Sequence, residues 1–280
     1  MRSFGDRTLA GRDRARLIDQ ETELHISPDF LRRVARVAAA ETLPRFRTQG
    51  VVDNKEAGGF DPVTEADQQA ELAIRRLINE EFPDHGVLGE EHGSENLSSR
   101  HVWVIDPIDG TRAFISGLPV WGTLVGLTVD GEAVAGMMSQ PFTGELFYAD
   151  GSGSHYEGPG GPRQLATRKT VNLADAISFT TTPALFKGDM RKRYDSFESK
   201  VQLARYGTDC YAFAMLAAGS VDIVMDPGLK PYDIVALIPI IEQAGGVVTT
   251  FDGGPAESGG DILAAATPQL HEAAMAALRG

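Results

Sequence analysis

Asp106 and Asp109 stand three residues apart at the end of an apolar run, Val102-Trp103-Val104-Ile105, and are joined through Pro107 and Ile108. Gly110 and Thr111 follow, and Arg112-Ala-Phe-Ile-Ser-Gly117 reads as a short helix. Carboxylates at the end of a buried-type strand are costly unless they are paired or bound to metal. Two like charges this close repel unless a cation lies between them. A Gly-Thr at a helix start offers backbone N–H groups to an anion. The stretch therefore suggests a metal on one side and a phosphate on the other.

Other acids lie at comparable places. Glu90 follows the short strand Val87-Leu88-Gly89, and Asp233 begins an apolar helix. Asp67 sits three residues after Thr64, in a capping-box arrangement at a helix start. Each has an ordinary reading on its own: Asp67 as a cap, Glu90-Glu91 as a solvated acidic pair. Lys55, in the Gly-rich segment 47–62, reads equally as a solvated lysine or a lid lysine near phosphate. Taken together, Glu90, Asp106, Asp109 and Asp233 occupy strand ends and helix starts, where open α/β sheets place ligands. No Cys or His cluster accompanies them and the six histidines are scattered. Oxygen-only donors suit Mg²⁺ or Mn²⁺ better than Zn²⁺.

Composition narrows the partners. The 280-residue chain has a net charge of −13 and a pI near 4.9. That argues against nucleic acid and against an anionic membrane surface. An acidic protein that binds phosphate needs metal ions to reverse the local field. One cysteine, Cys210, excludes an intrachain disulfide and fits a reducing cytoplasm. No apolar run approaches the roughly 20 residues that span a bilayer.

The positioning elements follow from periodicity. Residues 1–26 read as a polar, poorly ordered extension. Ser27-Pro28-Asp29 starts a helix that ends near Phe46, and a second helix runs from Gln68 to Phe82. Val120–Val129 and Ala133–Gln140 are strands joined by an Asp130-Gly131 hairpin turn, and Leu146–Tyr148 is a third. Gly151–Pro162 reads as a surface loop. Beyond it come a β-like run over 176–182 and a partly helical stretch over 183–203. A helix from Asp209 is ended by Gly219, and a strand over 221–225 ends in Asp226. A continuous apolar helix spans 232–244, strands lie at 247–250 and 262–265, and a terminal helix covers 268–279. Alternating strands and helices predict a layered α/β architecture of two fused lobes, 27–155 and 156–280.

Four segments, in order and spacing, resemble the inositol monophosphatase-like superfamily of metal-dependent phosphatases: Asp61-Pro-Val-Thr-Glu-Ala-Asp67, Gly89-Glu90-Glu91, Trp103-Val-Ile-Asp106-Pro-Ile-Asp109-Gly-Thr111, and Tyr232-Asp233 with Ala244-Gly245-Gly246. The resemblance implies a five-layer αβαβα sandwich, a homodimer, and two or three Mg²⁺ per site, with Mn²⁺ as a substitute. It implies Glu90, Asp106, Asp109, Asp233 and the Ile108 carbonyl as metal ligands, with Asp67 serving a weaker third ion. Gly110 and Thr111 become the phosphate cradle, Glu90 and Thr111 the pair that orients the attacking water, and Lys55 the lid lysine. The reaction implied is in-line hydrolysis of a small phosphate monoester by a metal-activated water.

Arg112-Ala-Phe-Ile-Ser-Gly-Leu-Pro, Gln140-Pro141, Gly207-Thr-Asp209-Cys and Lys230-Pro-Tyr-Asp233 resemble the histidinol-phosphatase branch. Histidinol phosphate carries an ammonium group, and Asp209 and Asp226 offer carboxylates to meet it. Their ordinary readings are a helix cap for Asp209 and a strand end for Asp226. Arg112 is either a substrate contact or the ion-pair partner of Asp209 or Glu91. The alternatives in function are an inositol or broad sugar-phosphate phosphatase, and a binding protein that kept the fold without the activity.

Overall fold

A computed structural model describes residues 26–48, 52–54 and 62–279. The extension before Ile26, Lys55 and Asp61 lie outside the described residues. Ser27 and Pro28 start the first helix, α1 (Pro28–Thr42), with the Ser27 hydroxyl accepting from the Asp29 N–H. Around the Gly-rich segment, β1 (Val52–Asn54) and β2 (Pro62–Thr64) pair antiparallel. Next comes α2 (Glu65–Glu81), which begins three residues earlier than periodicity suggests because Thr64 caps it.

β3 (Gly86–Gly89), β4 (Gly93–Glu95) and β5 (His101–Asp109) precede the short helix α3 (Thr111–Ile115). β6 (Gly122–Val129), β7 (Glu132–Gln140), β8 (Glu145–Ala149), β9 (Ser154–Glu157) and β10 (Arg163–Gln164) complete an eight-stranded sheet in the order β10-β9-β8-β7-β6-β5-β3-β4. The region read as a surface loop thus holds β9, whose Ser154 and Tyr156 are buried while His155 and Glu157 alternate outward, half-buried. Asp130 and Gly131 both take positive φ, 53° and 88°, and close the β6–β7 hairpin as the turn chemistry requires.

β11 (Ile177–Thr180), α4 (Gly188–Glu198), β12 (Leu203–Tyr206), α5 (Asp209–Ala217) and β13 (Ile223–Leu229) follow. Then come α6 (Pro231–Ile234), α7 (Leu237–Glu242), β14 (Val247–Thr250), β15 (Gly260–Ala265) and α8 (Pro268–Arg279). The five strands are ordered β12-β11-β13-β15-β14. Two expectations are corrected here. The continuous helix over 232–244 is broken between α6 and α7, because Pro239 has no N–H for the Val235 carbonyl and its ring crowds that position. The strand expected to end at Asp226 continues to Leu229, paired with β15 across an irregularity.

Strand alternation builds the layers. Trp103, Ile105, Val125, Leu127 and Met137 face α1 and α2. Leu124, Met138 and Phe147, on the opposite side, meet α5 and α7, whose other side packs on Val224, Ile262 and Ala264. Ile223, Met225, Leu263 and Ala265 turn to α4 and α8. The sequence of layers is therefore helix, sheet, helix, sheet, helix. Ile26, assigned from sequence to the polar extension, is buried against α1 and α2. Among the described residues no helix is long and apolar enough to cross a membrane.

Candidate metal centre

The turn at the end of β5 converges its acids through a bulge. In a regular strand, residues three apart point to opposite faces. Here β5 pairs Asp106 with Leu124 and Asp109 with Gly122, so one extra residue is accommodated between them. Pro107 is tolerated at that bulge, and the Thr123 hydroxyl donates to its carbonyl at 2.8 Å. Asp106 accepts from the Ile108 N–H at 3.0 Å. The added residue swings Asp106 and Asp109 to the same side. One carboxylate oxygen from each of Asp106, Asp109 and Asp233 then lies within 4.8 Å of the others.

Each acid is held by its own element. Asp233, at the third position of α6, accepts from the Lys230 N–H at 2.7 Å. Asp109 accepts from the Cys210 N–H at the start of α5, at 2.6 Å. Asp67 uses one oxygen as the α2 cap, accepting from the Thr64 N–H at 2.8 Å and the Thr64 hydroxyl at 2.5 Å. Its other oxygen is 3.5 Å from the Thr111 hydroxyl. The capping reading of Asp67 is correct, and it leaves a face directed to the site. Glu90 follows β3, its N–H donating to the Ile105 carbonyl at 3.2 Å. It stands outside the convergent trio but near enough to act on it electrostatically.

Negative charge is concentrated here. Burial, then the Glu90 and Asp109 charges, hold the Asp106 carboxyl well above the usual range. Burial and Asp209 do the same to Asp109. Asp67 is pushed up to about 6 by burial, against the Thr64 hydrogen bonds. Asp233 also reaches about 6, by burial and against the Lys230 N–H. Three hard oxygen donors drawn together, with burial raising the proton affinity of each, favour a bound positive charge. That donor set fits a divalent Mg²⁺ or Mn²⁺ ion.

The anion side is equally defined. Gly110 is left-handed (φ 84°, ψ 40°) and leads into α3. A β-carbon there would lie 2.9 Å from an Asp209 carboxylate oxygen, so only glycine fits. Thr111 donates its hydroxyl to the Ile108 carbonyl at 3.1 Å. Asp209 has a strained positive φ of 42°. It does not serve as its helix cap: Thr208 occupies that position, and no side-chain cap bond forms. The Arg112 charge opposes the burial that raises the Asp209 carboxyl.

Asp226 departs from expectation. It is 2% exposed and accepts from the Thr180 hydroxyl (2.7 Å), the Thr181 N–H (2.7 Å) and the Thr181 hydroxyl (3.1 Å). Both oxygens are committed to bracing β13 against the end of β11, leaving none for a substrate ammonium. Sequence reasoning also missed Thr123 and the Cys210 N–H, which hold the bulge and Asp109. A β-branched hydroxyl next to a Gly in a strand, and an N–H at a helix start, carry no distinctive sequence signal.

Comparison with known proteins gives a consistent frame. The inositol monophosphatase family matches residues 28–280. The chain is 38% identical over 257 residues to "Bifunctional phosphatase IMPL2, chloroplastic" of Arabidopsis thaliana, covering 88% of this chain and 72% of that one. It is 35% identical over 218 residues to a histidinol-phosphatase of Chlorobaculum parvum, covering 78% and 83%. Among solved structures, an inositol monophosphatase from Zymomonas mobilis superposes with a TM-score of 0.80 at 35% identity, covering 90% of this chain and 97% of that one.

Proposed function

This chain belongs to the inositol monophosphatase family of Mg²⁺-dependent phosphatases acting on small phosphate monoesters, and on that premise we propose that its substrate is L-histidinol phosphate. The observation that carries the substrate is Asp209. Its carboxylate lies against Gly110, at the edge of the phosphate cradle, where it can pair with a substrate ammonium by a charge-assisted hydrogen bond. The histidinol-phosphatase of Chlorobaculum parvum supports the same reading. The Zymomonas mobilis inositol monophosphatase favours a second one, an inositol or sugar phosphate.

In this reading Asp106, Asp109, Asp233 and Glu90 hold Mg²⁺, with the Ile108 carbonyl adding a donor and Asp67 serving a weaker ion. The bound ions supply charge neutralisation at the phosphate and lower the pKa of the attacking water. The protein's own groups do the positioning. The Thr111 hydroxyl, fixed by the Ile108 carbonyl and 3.5 Å from Asp67, orients that water together with Glu90. The N–H groups at the start of α3, after Gly110, receive the phosphoryl oxygens as charge develops on them. The Arg112 charge counters that of Asp209.

Asp209→Asn tests the assignment. The variant is expected to lose about tenfold or more in kcat/KM on histidinol phosphate, the scale of one charge-assisted contact. Inositol-1-phosphate loses less, because only histidinol phosphate brings an ammonium to position 209, whereas any effect of the variant through Asp109 or the cradle falls on both esters alike. An equal loss on both substrates would remove the ground for the histidinol reading.

A further inference from the structure

Glu71 and Arg75 are buried charged residues on α2, one and two turns beyond Asp67 on the same helix face. Glu71 is 0% and Arg75 4% exposed, and their side chains meet at 2.7 Å. The Glu71 carboxylate also accepts from the Glu91 N–H at 2.7 Å and the His92 N–H at 3.1 Å. Arg75 donates onward to the Gly93 carbonyl, and to Glu95 at 3.1 Å. Gly89 and Gly93 pair across β3 and β4, so residues 90–92 form the turn between these strands. The His92 ring adds a contact to the Gln68 carbonyl at 3.1 Å.

The turn that carries Glu90 is therefore gripped from beneath by α2. A β-carbon at Gly89 would collide with the Glu71 carboxylate, which explains the glycine before Glu90-Glu91. A buried ion pair is a poor source of stability, because desolvation offsets its attraction. Its retention here has a geometric counterpart: the same helix places Asp67 at the Thr111 hydroxyl and fixes the backbone next to Glu90.

We propose that Glu71 and Arg75 are positioning residues that aim Glu90 at the metal centre. The proposal rests on Glu90 being a metal ligand. Outer partners that orient a ligand cost about 10–100-fold in metal affinity when removed. Glu71→Gln keeps the shape of the side chain but turns an amide toward N–H donors. It is expected to raise the Mg²⁺ concentration for half-maximal activity by about tenfold or more. Mn²⁺ binding without substrate, followed by paramagnetic resonance, weakens by the same factor. KM for the phosphate ester at saturating Mg²⁺ stays within about twofold, since the anion cradle is untouched.

Wild-type Mg²⁺ and Mn²⁺ behaviour in Glu71→Gln, alongside loss of both in Glu90→Gln, overturns the positioning role and leaves the ligand role standing. Wild-type metal dependence in Glu90→Gln overturns the ligand role and the proposal with it. If Glu71→Gln does not fold, Arg75→Lys decides. Its single ammonium cannot span Glu71, Gly93 and Glu95, and the Mg²⁺ midpoint rises by about threefold or more. An unchanged midpoint there also overturns the proposal.

Discussion

Asp106 is buried beside Glu90, Asp109, Asp233 and Asp67, all of which raise its proton affinity. Asp106→Asn removes one of these charges. Activity with Mg²⁺ should fall by more than about a hundredfold, beyond what loss of an outer partner costs a metal site. Melting in chelator should not fall, because like-charge repulsion is relieved. Retained activity would contradict the ligand assignment. Asp226 predicts the opposite pattern. Asp226→Asn disrupts acceptors for Thr180 and Thr181 and should cost about 1–3 kcal/mol of stability. The ratio of kcat/KM between histidinol phosphate and inositol-1-phosphate stays put. The two aspartates look alike in sequence, each at the end of an apolar run. Asp106 was legible because Asp109, Gly110 and Thr111 follow it. The partners of Asp226 come from β11, 45 and more positions away, and no local pattern announces them.

At the scale of elements, the site is assembled by helix starts meeting a bulged strand end. The Thr64–Asp67 box was readable because capping is a local code, and its double duty was not, since Thr111 approaches from a different element. Thr64→Ala removes the hydroxyl that accepts from the Ala66 N–H and donates to Asp67. It should cost about 1 kcal/mol by urea unfolding. No change in stability would mean the cap contributes nothing. Helix and strand identities in the long apolar runs followed their periods. β4, β10 and β12 did not show because they are two to four residues long and largely exposed. They are strands by virtue of their neighbours. The split between α6 and α7 was readable from Pro239, and the strongly apolar composition masked it.

Across the whole molecule, two layered sheets and three helical layers bring together acids on α2, β5 and α6 and the one just after β3, at the cost of concentrated negative charge. This gives the metal-free protein a definite pH dependence. Asp67 and Asp233 reach about 6 in the fold, above the ordinary aspartate value near 3.9 of an unfolded chain. The folded state therefore binds more protons between those values. The stability these groups contribute is full below about pH 4 and is lost as pH rises through about 6. Melting temperature in chelator should fall between pH 5 and 7 on this account, and saturating Mg²⁺ should flatten that slope. A melting temperature that rises over the same interval in chelator would contradict the charge-deficient site.

The central claim joins a metal-dependent phosphatase centre to a substrate bearing a positive charge. The most direct measurement is kcat/KM of the unaltered protein in Mg²⁺ on a panel of phosphate esters. The account predicts that histidinol phosphate exceeds inositol-1-phosphate by about tenfold or more, the worth of one desolvated charge-assisted contact. Equal turnover of the two esters, or preference for inositol-1-phosphate, would contradict it.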